Sequence, residues 1–332
     1  MKLENQTLGG LLSDPRIALI APDAIRRLDL QAEPVWNKTL AEIRDEHIFS
    51  GDLCAGFARL FRAAETGDWY YPLYTEAECA QSPARKGTNL LWFPSDDSSA
   101  NDRPYIFLVP GGGFVNVWSL TEGWPVAAQF NRLGYHVMIL TYQVDGEVGL
   151  LEKNMEDFAR AFRLIRENED HFHVQAGRYI TCGFSAGGYL VCLWNTKKGY
   201  PAFHWPKPQA VFPIYPVTTL RQDIRYGSPD PEDALRLYGC SLEEARKSDY
   251  EILDHAEGFP PCALFLTADD GLVNPDNSRL LAEPLKGHGI PCRLEIGPYG
   301  GHGFADGTGM CMAGWTERAV RWAEAQENGQ SV

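Results

Sequence analysis

Three residue types, met along the chain in the order serine, carboxylate, histidine, could together perform nucleophilic acyl transfer. Ser185 stands in Gly183-Phe-Ser-Ala-Gly-Gly188, Asp270 in Ala268-Asp-Asp-Gly-Leu-Val273 and His302 in Gly300-Gly-His-Gly-Phe304. A hydroxyl is a poor nucleophile until a base takes its proton, and an imidazole base needs a carboxylate to fix its tautomer. Two neighbouring carboxylates compete for that last role. Asp270 opens an Asp-x-x-Val run and is the better match, which leaves Asp269 to cap or hold the loop. A fourth group is Pro110-Gly-Gly-Gly-Phe114, whose backbone N–H groups could face the anionic oxygen of a tetrahedral intermediate with no side chain in the way. The amides of Gly112, Gly113 and Ala186 are the expected donors.

Each pattern also has a plainer reading. Gly-x-Ser-x-Gly can be a turn with an N-capping serine, and His302 can be a simple loop histidine. The triple glycine can be a tight strand-to-helix turn or a phosphate cradle, although no Gly-Lys-Ser/Thr follows it and the dinucleotide-binding spacing is absent. His171-Phe-His173 has the spacing of a metal pair, but no carboxylate or cysteine is placed to complete a shell, so neither metal nor cofactor is expected. Context favours the chemical reading. A strand-forming run enters the serine motif from Arg178 and an apolar helical run leaves it up to Trp194; glycines two before and two after Ser185 let strand and helix approach without Cβ clashes. Phe114, Trp118, Trp124, Tyr142 and Phe184 lie near predicted strand ends and are read either as pocket walls or as ordinary packing.

The elements that must carry these residues are legible as apolar runs. Strands are expected at 89–93, 105–109, 136–140, up to the serine motif, at 209–215, 262–267 and 292–296. Helices are expected from Glu122 to Leu133, along the Leu151, Met155, Phe158, Phe162, Ile165 stripe to about Asn168, after Asn274 and Pro275, and through Trp315, Ala319 and Trp322. This alternation predicts a mostly parallel, doubly wound α/β sheet with helices on both faces. Ligands gather at the carboxyl ends of the strands of such a sheet, and Gly111, Ser185, Asp270 and His302 each follow a predicted strand.

Two stretches stand outside the alternation. Residues 1–72 read as a helical extension, with helices at 35–49 and 53–64 and an aromatic, turn-rich segment at 68–74. It is either a cap or dimer arm lining the pocket mouth, which would make the protein a homodimer, or packing against the main domain. Residues 73–332 form that domain, and the polar run 218–258 within it is a candidate lid insertion.

With 332 residues, 44% apolar and 22% charged, the chain can bury a large core. A net charge of −14 without clustered Lys and Arg argues against nucleic acid or an anionic membrane as partner. The N-terminus lacks a basic segment followed by an apolar one, and no stretch reaches the roughly 18 apolar residues of a membrane span, so a cytoplasmic location is expected. Eight scattered cysteines with no Cys-x-x-Cys spacing read as reduced thiols.

Taken in order, Val-Pro-Gly-Gly-Gly-Phe, the Asp157 helix with Arg166-Glu-Asn, Gly-Phe-Ser-Ala-Gly-Gly-Tyr-Leu, Thr-Ala-Asp-Asp-Gly-Leu-Val and Gly-Gly-His-Gly-Phe resemble the α/β-hydrolase superfamily. Within it the chain is similar to carboxylesterases related to hormone-sensitive lipase and to acetyl-xylan and feruloyl esterase-like proteins, over about residues 88–325. Pro110 stands where the lipase relatives have histidine, which pulls the match toward the polysaccharide-esterase branch; Pro284 interrupts a helix that is regular in the family, and the first seventy residues match nothing in it. The resemblance implies a serine hydrolase that cleaves short-chain acyl esters of small molecules, including acetyl groups on carbohydrate, through Ser185, His302 and Asp270, with no cofactor. An amidase, peptidase or lactonase using the same residues, or a non-catalytic ligand-binding protein on the same scaffold, are the alternatives.

Overall fold

Runs such as Tyr105–Val109 leave no polar side chain to face water on either side, so they can only sit where both faces of a sheet are covered. The computed structural model, which describes residues 2–144, 148–221 and 231–329, places them there. Eight strands form one sheet: β1 (Tyr70–Pro72), β2 (Asn89–Phe93), β3 (Tyr105–Val109), β4 (Val137–Thr141), β5 (Tyr179–Phe184), β6 (Ala210–Ile214), β7 (Cys262–Thr267) and β8 (Cys292–Gly297). Their order is β1-β2-β4-β3-β5-β6-β7-β8. β2 runs antiparallel to β1 and β4, and the other pairs are parallel. The helices of eight or more residues are α1 (Leu53–Glu65), α2 (Trp124–Arg132), α3 (Leu150–Glu167), α4 (Ser185–Trp194), α5 (Pro231–Tyr238), α6 (Asp276–Gly287) and α7 (Trp315–Glu327).

The strand period of two divides the core into two layers. From β3, Tyr105, Phe107 and Val109 face α3, α4, α5 and α6, with the Phe107 and Phe162 rings stacked at 4.4 Å. Ile106 and Leu108 face the other way, toward α1, α2 and α7. Asp157, buried on α3, accepts hydrogen bonds from the Gln143 amide and the Tyr74 hydroxyl and so ties the end of β4 to the chain that follows β1. Among the described residues no helix is long and apolar enough to cross a membrane.

The structure differs from the sequence reading at three places. The expected helix 35–49 is broken into a 3₁₀ turn, Pro34–Asn37, and a short helix, Leu40–Asp45, because Thr39 caps the latter in a reciprocal capping box with Glu42. The aromatic turn at 68–74 contains β1, at the sheet edge, where Pro72 leaves no ladder donor missing on the open side. Residues Ser119–Gly123 make one π-helical turn before α2 begins at Trp124, with Pro125 in the first turn, where a missing N–H breaks no bond. Of the candidate lid 218–258, residues 222–230 lie outside the described residues. The described part supplies α5, a short helix Leu242–Arg246 and a 3₁₀ run Ile252–Gly258.

The N-terminal stretch is packed onto the sheet rather than held apart from it. Phe57 on α1 meets Trp124 on α2 with ring centroids 5.5 Å apart, and a Cβ on Gly56 would come within 3.0 Å of the Pro125 nitrogen.

Candidate active site

β5 runs straight into α4 at Ser185, whose φ of +52° lies in the left-handed region. For a non-glycine residue that conformation costs about 1–3 kcal/mol and persists only where the surroundings enforce it. The surroundings here are backbone. A Cβ at Gly183 would overlap the Gly187 carbonyl, and one at Gly187 would overlap the Val109 carbonyl at the end of β3. The glycines on either side of the serine thus allow strand, helix and neighbouring strand to touch, and the turn they define lifts the Ser185 side chain out of the sheet. Ser185 is the first residue of α4, so unpaired N–H groups and the positive end of the helix dipole face the same space.

His302, in the loop after β8, reaches back to that hydroxyl. Its Nε2 lies 3.0 Å from Ser185 Oγ and its Nδ1 2.7 Å from Asp270 Oδ2. A carboxylate oxygen only accepts, so Nδ1 carries the proton and Nε2 is left to accept from the serine hydroxyl. The Asp270 side chain is 1% exposed, and its other oxygen accepts from the Leu272 and Val273 amides at 2.9 and 2.8 Å. Asp269 turns the other way and accepts from the Gly300 and Gly301 amides at 3.2 and 2.9 Å. The Gly301 amide is the main cause holding its carboxyl below the usual carboxylate range. One aspartate faces the imidazole, and its neighbour ties down the loop that carries it.

The triple glycine after β3 faces the same hydroxyl. The Gly111 amide is taken, donating to Glu122 Oε2 at 2.6 Å. The amides of Gly112, Gly113 and Ala186 donate to no acceptor among the described residues, and all three residues line one cavity with Ser185 and His302. The cavity measures about 660 Å³. Ile48, Phe49 and Ser50 of the N-terminal stretch form one wall, with Phe49 set edge-on to Trp118 at 6.1 Å. Asp233, Arg236 and Leu237 of α5 form another, and Leu272, Val273 and Asn277 a third. Arg236 donates to the Phe114 carbonyl at 3.1 Å, so α5 is hydrogen-bonded to the glycine loop.

Of the five aromatic residues read as pocket walls, Phe114 and Trp118 line the cavity, whereas Trp124, Tyr142 and Phe184 do not. Trp124 is buried against Phe57. Tyr142 is fully buried beyond the end of β4. Phe184 points to the far face of the sheet, onto Tyr215 and Trp315 at 5.7 and 5.9 Å, because a residue beside Ser185 in the strand faces away from it. Sequence reasoning missed Glu122; it gave residues 1–72 as either a lining of the pocket mouth or packing and 218–258 as a candidate lid, but named no wall residue in either. An acidic residue at the start of an apolar helical run is ordinary in a first turn, and nothing in its type marks Glu122, which is buried at the end of the π turn. His171 pairs with the Tyr71 hydroxyl at 2.8 Å, and no group of three or more His, Cys, Asp or Glu among the described residues is placed to hold a metal.

With this geometry in place, comparison with known proteins narrows the kinship. The BD-FAE family matches residues 91–212, which include the triple glycine and the serine turn. The chain is 28% identical to endo-1,4-beta-xylanase B of Butyrivibrio fibrisolvens over 239 residues, 69% of this chain and 36% of that protein. It is 24% identical to an acetylxylan esterase of Xylanibacter ruminicola over 209 residues, 60% of this chain and 41% of that one. It thus spans well under half the length of both relatives. The crystal structure of an acetyl ester-xyloside bifunctional hydrolase from Caldicellulosiruptor lactoaceticus superposes with a TM-score of 0.63 at 27% identity, covering 78% of this chain and 96% of that one. Strand order, matched stretch and structural likeness agree: the chain has the α/β-hydrolase fold and is similar to esterases that share it.

Proposed function

We propose that the protein is a serine carboxylesterase that cleaves short-chain acyl esters, acetyl esters of carbohydrate alcohols among them. One observation carries the reading: an unbroken hydrogen-bonded line from Asp270 through His302 to Ser185 opens into a cavity where three backbone amides are unspent. Kinship with an acetylxylan esterase and an acetyl ester-xyloside hydrolase supports the ester linkage and the acetyl group.

In this reading Ser185 Oγ attacks the acyl carbonyl while its proton passes to His302 Nε2. The carbonyl oxygen becomes an alkoxide facing the Gly112, Gly113 and Ala186 amides; such donors are worth roughly 10²–10³ in rate apiece. The carbonyl re-forms, the C–O bond to the alcohol breaks, and the leaving alkoxide takes the proton from the imidazolium. Water then repeats the cycle on the acyl-serine, giving the carboxylic acid and free Ser185. Asp270 holds the imidazole in register and stabilises its charged form throughout.

A fluorophosphonate located by mass spectrometry tests this. The expected result is a single label on Ser185, hydrolysis of nitrophenyl acetate and of acetylated xylo-oligosaccharides, and a loss of roughly 10⁶-fold in kcat for Ser185→Ala. Folded protein that stays unlabelled at neutral pH would return the chain to a ligand-binding role. Turnover of amides but not of matched esters would make it an amidase.

A further inference from the structure

Glu122 is a carboxylate on the cavity wall that the triad does not use, and it is only 7% exposed. Each of its oxygens accepts from a different loop of the site. Oε2 takes the Gly111 amide at 2.6 Å, and Oε1 takes the Tyr215 hydroxyl at 2.8 Å. The Tyr215 oxygen accepts in turn from the Ala305 amide at 3.3 Å, three residues past His302, and the Tyr215 ring lies 4.6 Å from the His302 ring. Phe114, Tyr215 and Ala305, one from each loop, all have positive φ, at +61°, +36° and +50°. Non-glycine residues hold such conformations only where something ties them down. Here Glu122 and Tyr215 together bridge the loop of the free amides and the loop of the base.

Resting on the esterase reading above, we infer that Glu122 is a positioning residue: it consumes the Gly111 amide so that those of Gly112 and Gly113 face the substrate, and through Tyr215 it fixes the His302 loop while its charge favours the imidazolium. The plainer reading is a buried carboxylate satisfied by two donors and doing nothing more. The two part at the ionisation of the base. Burial pushes the Glu122 carboxyl above its usual range, while the Gly111 amide, the Tyr215 hydroxyl and then His302 pull it back. The other titratable groups near it are Tyr142 and Cys182, both driven by burial toward the neutral form. His302 is faced by Asp270, Ser185 and Tyr215, with Asp269 bonded to the adjoining glycines and the Arg236–Asp233 pair on the cavity wall.

The test compares wild type, E122Q, Y215F and the double variant on nitrophenyl acetate, with kcat, KM, the pH profile of kcat/KM and the thermal midpoint measured for each. Glutamine keeps an acceptor but removes the charge. A nearby anion raises an imidazole pKa, so its loss lowers that pKa and the base stays available at lower pH. The expected result for E122Q is a fall in kcat of about 10–100-fold with KM within about threefold, and an acid limb moved down by about half a pH unit or more. Y215F, which keeps the charge, lowers kcat with its acid limb in place, and the double variant loses little beyond E122Q because both break one network. An E122Q acid limb coincident with wild type, or losses that simply multiply, would overturn the inference. If E122Q unfolds below the assay temperature, Y215F decides: a lowered kcat at unchanged KM supports the tie, and wild-type kcat refutes it. A wild type that neither labels with fluorophosphonate nor turns over the ester would sink the esterase reading itself, an outcome distinct from an active wild type indifferent to Glu122.

Discussion

Asp269 and Asp270 are chemically identical neighbours separated by what their oxygens meet. Asp270, enclosed and fixed by two backbone amides, presents one oxygen to His302 Nδ1; Asp269, exposed, holds the Gly300 and Gly301 amides. Asp270→Asn puts an amide where an acceptor-only group selects the tautomer, so kcat should fall by roughly 10⁴ with the fold intact. Asp269→Asn keeps an acceptor for the loop and should cost no more than about tenfold. Steady-state kinetics on nitrophenyl acetate would check both, and a larger loss at 269 would reverse the roles. At this scale the sequence was informative where a residue's chemistry is bound to a local pattern, as in Asp-Gly-Leu-Val and Gly-Gly-His-Gly. It was silent where one turn decides the facing. Glu122 passes unnoticed because an acidic residue opening a helical run is common at any exposure, and Tyr142 and Phe184 look like pocket walls because nearness to a strand end does not say which face a side chain takes.

Among the elements, the junction of β3, β5 and α4 sets the precision of the site. Backbone meets backbone there through Gly183 and Gly187, with no flexible side chain to yield. Gly187→Ala should therefore destabilise by roughly 1–3 kcal/mol, as overpacked sites do. It should lower kcat by about 10² or more, because a shift of the order of 1 Å at the nucleophile is costly. Gly271→Ala, where a Cβ meets nothing within 4 Å, is the control and should change neither. Thermal midpoints and kcat measured together test the claim; a Gly187→Ala enzyme of normal stability and rate would show that the contact is soft. The inner strands were legible because a run buried on both faces is largely apolar and its ends are marked by Gly, Pro or polar residues, whereas β1, three residues at the sheet edge, was not. The short 3₁₀ and helical turns of residues 3–45 were not legible, since three to six residues carry no period to read.

For the molecule as a whole, the open question was whether the first seventy residues are an appendage or part of the core, and burial bears on it directly. Leu8, Ile17, Ile25, Phe57 and Leu60 are fully buried, in the same apolar layer as Ile106 and Leu108 of β3. At about 1.5–3 kcal/mol each, those five side chains alone represent roughly 8–15 kcal/mol. That is the size of the entire stability of a typical protein, about 5–15 kcal/mol. A chain starting at residue 67 should consequently be insoluble, or soluble only as a dye-binding form without a cooperative thermal transition. Phe49→Ala separates the second role of this segment, at the cavity wall, from the first. Phe49 is only partly buried and meets Trp118 edge-on in the cavity lining, so its removal should leave the thermal midpoint within a few degrees, a loss of about 1 kcal/mol, while raising KM for the ester severalfold. If the truncated chain instead unfolded cooperatively and turned over nitrophenyl acetate at the full rate, the segment would be a separable cap, and the sheet face beneath it would have to be stable in water without it.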